Sequence, residues 1–287
     1  MPSINITGTL HNYELTPPVA NSQAPLLVFI HGWLLSHHYW QPLITLLKSD
    51  YQCLSYDLRG FGDSAISLNK GHDEYHLKAY ARDLCLLLQK LNIKQAWLVG
   101  HSLGGSIALW TAGLCPQKVQ GVICINAGGG IYLKEEFEKF RNAGKLLVKF
   151  RPFWLRYFPG LNFVFSRMMV ARPLALRWGK QRVIDFLRAN EKAALGSLLD
   201  STTEEEVHHL PQLVSRLSQP VYFIAGIQDS VMEPKYVQHL ASFHALFDGS
   251  QSNVLEIEDC GHFAMLEHTD KVYSLISGLL ATVDNVS

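Results

Sequence analysis

The chain has 287 residues, 48% of them hydrophobic, which suffices for one large α/β domain with an insertion and a full apolar core. Its 25 basic and 25 acidic residues cancel, so no global charge draws it to nucleic acid. Apolar runs of about 18 residues or more are absent, and residues 1–10 lack both a basic start and an apolar core, so neither a membrane span nor a secretory signal is expected and the expected address is the cytoplasm.

Residues 4–15 alternate loosely between apolar and polar with a break at Gly8, which predicts one or two short antiparallel strands at a sheet edge, ended by Pro17 and Pro18. Residues 26–30 form a continuous apolar run between Pro25 and His31-Gly32, the composition of a strand buried on both faces. A helix over 40–47 and a second buried strand over 51–56 follow, then the glycine-punctuated turn Asp57-Leu58-Arg59-Gly60-Phe61-Gly62-Asp63-Ser64 and a helix over 74–91. Residues 95–99 read as a strand and 106–114 as a helix. Further strands are predicted over 119–125, 221–225 and 254–257, with a closing helix over 263–280. Strict alternation of strands and helices predicts an α/β fold, a mostly parallel twisted sheet with helices on both faces. Five cysteines, Cys53, Cys85, Cys115, Cys124 and Cys260, show no C-x-x-C spacing and mostly have apolar neighbours, so neither disulfides nor zinc are expected.

Residues 128–217 break the alternation, being nearly all helix-like. They read as a helical cap inserted over the carboxyl edge of the sheet, where open α/β sheets place their ligands, between core segments 1–127 and 218–287. Within the cap, residues 139–182 hold eleven Lys or Arg, nine aromatics and no Asp or Glu. Three readings of that composition stay open. One is a lid whose aromatics pack together while its cations are solvated. The other is a peripheral contact with an anionic membrane surface. Recognition of an acidic partner or substrate is a third.

The strand over 95–99 runs into Gly100-His101-Ser102-Leu103-Gly104 and then into a helix. A serine at such a corner projects its hydroxyl from the backbone, and the flanking glycines relieve crowding. Ser102 is therefore the candidate nucleophile, and it needs a base and a group that orients the base. His262, in Asp259-Cys260-Gly261-His262-Phe263 between a strand and a helix, has the best setting of thirteen histidines. His37, His38, His72, His76, His208 and His209 sit at charged or polar helix ends and read as structural or exposed. Asp229, just after the strand over 221–225, reaches the same edge and is the candidate acid, with Asp259 as its rival. The end of the strand before it is another place for an acid, but Asn126 stands there. Two backbone donors should face the oxyanion of a tetrahedral intermediate: the N–H of Leu103 at the helix start and that of Trp33 in His31-Gly32-Trp33.

Taken together, His31-Gly32-Trp33, Asp57-x-Arg59-Gly60-x-Gly62-x-Ser64, the Gly100 to Gly104 elbow and the ordered Ser102, Asp229 and His262 resemble the α/β-hydrolase superfamily, and within it the serine esterases and lipases. The resemblance covers all but residues 128–217, which look like that family's variable cap. It implies a serine hydrolase that cleaves a carboxylic ester with a hydrophobic acyl or alcohol portion, through an acyl-enzyme, with no metal or organic cofactor. The same framework also hosts cofactor-free haloperoxidases or perhydrolases and carbon–carbon bond hydrolases, and relatives that have lost catalysis and serve as binding proteins, here at a membrane interface. Epoxide hydrolases and haloalkane dehalogenases fit less well, since their elbow carries an aspartate where this chain has Ser102.

Overall fold

The computed structural model describes residues 1–20, 23–64, 74–128, 134–247 and 252–284; His72 lies outside them. The first half of the chain contains β1 (Ser3–Ile6), β2 (Thr9–Leu15), β3 (Leu27–Ile30), α1 (Gln41–Leu47), β4 (Cys53–Tyr56), α2 (Leu77–Lys90), β5 (Ala96–His101), α3 (Leu103–Leu114) and β6 (Val119–Ile125). Five helices follow, α4 (Lys134–Lys149), α5 (Leu161–Phe165), α6 (Leu176–Arg188), α7 (Glu191–Ser201) and α8 (Glu204–Val214). The chain then returns as β7 (Val221–Gly226), α9 (Pro234–Ala241), β8 (Val254–Ile257), α10 (Ala264–Glu267) and α11 (Thr269–Asp284).

The strands form one eight-stranded sheet in the order β1-β2-β4-β3-β5-β6-β7-β8. Strand β2 pairs antiparallel with β1 and β4, and every pairing from β4 to β8 is parallel. This is the mostly parallel sheet that the alternation predicts. Successive strand residues point to opposite faces, and both faces are covered. Val28, Ile30, Leu98, Val122 and Phe223 pack with α2, α3, α8 and α9, whereas Leu27, Phe29, Val99, Ile123 and Ile224 pack with α1 and α11. Two-sided burial explains why the central strands are continuous apolar runs rather than alternating ones.

Element edges differ from the sequence reading where a side chain intervenes. Helix α2 begins at Leu77, since the His76 ring accepts the Ala79 N–H at 3.1 Å and caps it. The expected closing helix is broken in two at His268, which leaves helical dihedrals and donates from Nε2 to the Asp259 carbonyl at 2.9 Å. Helix α8 lies mainly against α3 and α9, with a smaller contact to α7. Among the described residues, no helix is long and apolar enough to cross a membrane.

The absence of disulfides expected from the sequence is corrected. Cys85 in α2 and Cys115 at the end of α3 are disulfide-bonded, while Cys53, Cys124 and Cys260 are free and buried. The pair is 30 residues apart and meets only because α2 packs on α3, so no local spacing announces it. The denatured, unreduced protein should take up alkylating reagent at three thiols and the reduced protein at five, read by mass. Closing a loop of that length contributes about 3–4 kcal/mol in the chain-entropy account, so reduction should also lower the urea midpoint.

Several histidines are structural core residues. Burial lowers His11 and His31 to about 4 and His101 to about 3, so all three are neutral in the fold. In the unfolded chain each would protonate near its ordinary value of 6.5. Below that pH the unfolded state binds more protons, so stability held above pH 6.5 is lost progressively as the pH falls toward about 4. Urea midpoints measured across this range should decline steadily; a flat series would contradict neutral burial of these rings.

Candidate active site

Ser102 stands between the last residue of β5 and the first of α3 with φ 52° and ψ −120°, a backbone conformation that a side chain rarely adopts. The flanking glycines are steric necessities. A Cβ on Gly100 would lie 2.3 Å from the Gly104 carbonyl oxygen, and one on Gly104 would lie 2.2 Å from that of Ile30. The corner thus wedges α3 against β3 and presents Ser102, partly exposed, at the carboxyl end of the sheet.

The imidazole of His262 donates from Nδ1 to Oδ2 of Asp229 at 2.8 Å, with both residues buried. Proton placement follows: with Nδ1–H committed to a carboxylate, Nε2 carries the lone pair. Asp229 also accepts the N–H groups of Val231 at 2.8 Å and Met232 at 2.9 Å on Oδ1. Burial by itself would raise the Asp229 carboxyl, but the neighbouring His262 and these donors outweigh it and hold it below its ordinary value. The rival, Asp259, is turned away; its carboxylate is exposed and pairs with Arg172 at 3.3 Å.

Three residues outside the sequence-derived set hold this pair. Asn126, itself at φ 50°, donates from Nδ2 to Asp229 Oδ2 at 3.0 Å and to the Gly261 carbonyl at 3.1 Å. The strand end that lacks an acid therefore supplies a donor to the acid on the next strand. His101 donates from Nε2 to the His262 carbonyl at 2.7 Å, and the His262 N–H donates to the Met169 carbonyl at 2.8 Å. Glu267 accepts the backbone N–H groups of Gly261 and Phe263, each at 3.0 Å, together with those of Ala171 at 2.7 Å and Arg172 at 3.1 Å. Sequence signals existed for His101, inside the elbow, and Asn126, at a strand end. Glu267 offered none.

The His31-Gly32-Trp33 turn abuts the serine: a Cβ on Gly32 would lie 3.2 Å from Ser102 Cβ. His31 keeps the turn in place. Its Nε2 accepts the Leu58 N–H at 3.0 Å, so Nδ1 carries the proton and donates to the Gly32 carbonyl at 2.8 Å. Leu58 belongs to the glycine-punctuated turn, which is built on Asp57. That carboxylate accepts the His37 N–H at 2.7 Å, His37 Nδ1 at 2.8 Å and the Asp63 N–H at 2.8 Å. His37, read as a helix-end histidine, is thus a buried partner of Asp57, and its hydrogen bond to that carboxylate raises its pKa although burial opposes it.

Ser102, Leu103, His262 and Trp33 line one cavity of about 190 Å³. Its other walls are mostly apolar, with Leu147, Phe165, Phe186 and Leu198 coming from α4, α5, α6 and α7 in turn. The Trp33 indole donates to the Ala194 carbonyl of α7 at 2.9 Å, so it both lines the cavity and ties α7 down. Arg182 of α6 also reaches the wall, where it donates to the carbonyls of Phe165 and Met168 and lies 4.3 Å from the centre of the Phe263 ring. Burial lowers it to about 10, so it remains charged.

A family model described as alpha/beta hydrolase fold matches residues 25–269. The 3-oxoadipate enol-lactonase 1 of Acinetobacter baylyi is 23% identical over 270 residues, covering 91% of this chain and 90% of its own. The 2-succinyl-6-hydroxy-2,4-cyclohexadiene-1-carboxylate synthase of Escherichia coli is 29% identical over 225 residues, covering 77% of this chain and 84% of its own. A solved structure of a thermophilic esterase from Thermogutta terrifontis aligns with a TM-score of 0.76 over 99% of both chains at 20% identity, a likeness of fold. The strand order, the strained corner between β5 and α3 and the extent of the family match together make this chain a member of the alpha/beta hydrolase fold family.

Proposed function

We propose that the protein is a serine hydrolase that cleaves a carboxylic ester with a hydrophobic acyl or alcohol portion. The observation that carries this reading is the 2.8 Å bond between His262 and Asp229 beside a serine held at positive φ, with Ser102 and His262 opening onto one apolar cavity. In the proposed reaction Nε2 of His262 takes the Ser102 hydroxyl proton as Oγ attacks the ester carbonyl carbon. The N–H groups of Leu103 and Trp33 stabilise the oxyanion. Leu103 is the first residue of α3, so its N–H has no acceptor within the helix. Collapse of the intermediate sends the proton from His262 to the departing alkoxide. Water, activated by the same nitrogen, then attacks the acyl-enzyme, releases the acid and restores Ser102. Throughout, Asp229 orients the ring and offsets its positive charge. Lining of the cavity by α4 to α7 supports locating substrate choice there rather than in α8, which packs on α3.

A fluorophosphonate probe should label the wild-type protein at Ser102 and leave Ser102→Ala unlabelled; a folded wild-type protein that stays unlabelled would count against an activated serine. Asp229→Asn should lower kcat on chromogenic esters by a factor on the order of 10⁴, because an amide favours the wrong tautomer of His262. Asp259→Asn should leave kcat nearly unchanged, since that carboxylate is exposed and paired with Arg172. The reverse ranking would move the acid to Asp259.

A further inference from the structure

Residues 139–182 carry eleven basic side chains and no acidic one, so the remainder of the neutral chain carries 14 basic against 25 acidic residues, a net of minus eleven. The structure sorts those cations into two kinds. Some are structural. Arg151 donates to the carbonyls of Val148 at 3.0 Å and Phe186 at 2.6 Å, Arg141 to that of Leu199 at 2.8 Å, and Arg182 is buried at the cavity wall. Lys139, Lys149, Arg156, Arg167, Arg177 and Lys180 are exposed instead, and among the described residues no carboxylate pairs with Arg156 or Arg167. These two lie on exposed aromatic rings: the Arg156 guanidinium is 3.9 Å from the centre of the Phe153 ring and 4.4 Å from that of Tyr157, and Arg167 is 3.4 Å from that of Phe163.

The aromatic side chains around them are not packed together as a lid's interior would be. Phe150 and Tyr157 are each 71% exposed and Trp154 61%, and Phe153, Phe158 and Phe163 are all more than half exposed. They occupy the chain from the end of α4 through the short turn Phe153–Tyr157 to α5, which packs on α6. Leu147 and Met168, at the two ends of this stretch, are exposed and also line the cavity that holds Ser102. An apolar, cationic face therefore borders the mouth of the candidate active site.

We infer that this face docks on an anionic lipid bilayer and brings the cavity mouth to the membrane surface. Charge complementarity selects the occupant. Unpaired cations that repel one another in water are neutralised by anionic head groups, and Phe, Trp and Tyr side chains favour the boundary between head groups and acyl chains. The negatively charged remainder of the chain turns the molecule so that this face leads. Docking itself does not depend on the proposed ester hydrolysis. Delivery of a lipid-dissolved ester to Ser102 rests on that reading.

The test is co-sedimentation with vesicles of phosphatidylglycerol and phosphatidylcholine, compared with pure phosphatidylcholine. Partitioning onto the anionic vesicles should be stronger by about tenfold or more at low salt and fade as salt rises. Joint Arg156→Glu and Arg167→Glu substitution should remove most of that preference, and Trp154→Ala should weaken binding at every salt concentration. Arg151 is left intact because its contacts with Val148 and Phe186 are structural. Ser102→Ala should bind as the wild type does, which separates docking from hydrolysis. The charge-reversed variant should keep its kcat/KM on a soluble short-chain ester yet lose turnover of a long-chain ester dissolved in anionic vesicles. Equal binding to both vesicle types, binding to neither, or self-association that those substitutions abolish would overturn the inference.

Discussion

The closeness of β5, α3 and β3 at the corner that bears Ser102 is the constraint on which the rest of this structure depends. No Cβ fits at Gly100 or Gly104, and Ser102 occupies a positive φ that costs on the order of 1–3 kcal/mol. That strain persists because the sheet around it is buried on both faces and leaves the backbone no room to relax. Once α3 is wedged this way, the serine is fixed relative to the ends of β3, β6 and β7, and those ends carry His31, Asn126 and Asp229.

Around the corner, polar groups withdrawn from water are satisfied by one another. The Asp229 carboxylate receives donors from His262, Asn126, Val231 and Met232, which keeps it ionised despite burial. His31 and His101, neutral because they are buried, act as fixed donors and acceptors. The site is therefore a frame of backbone and side-chain contacts, in which His262 and Ser102 line the same cavity.

Much of this was legible in the sequence because it is local. Two-sided burial writes itself as apolar runs, and a strand-to-helix corner writes itself as glycines around Ser102. Asp229 and His262 were found by their position after strands, which in a parallel sheet all end on one edge. What was not legible depends on distant partners. Cys85 and Cys115 meet through helix packing, and His101 and Asn126 act on groups 161 residues away and 103 and 135 residues away, respectively. Composition marked residues 139–182 as unusual, yet it could not separate Arg151, held by two carbonyls, from Arg156, which faces solvent between two rings.

Glu267 gives the site a mechanical character that its other residues do not reveal. One carboxylate gathers the amides of Gly261 and Phe263, on either side of His262, and those of Ala171 and Arg172, at the end of the segment that follows α5. Hydrogen bonds to a charged acceptor are worth roughly 1.5–3 kcal/mol each, so these two pieces of chain are clamped rather than merely adjacent. The helices over the cavity hence cannot swing outward as a free flap hinged at residues 169–172. A displacement there pulls on the peptide units that flank His262, so any movement of the roof that admits a bulky substrate is felt by the loop that carries the imidazole.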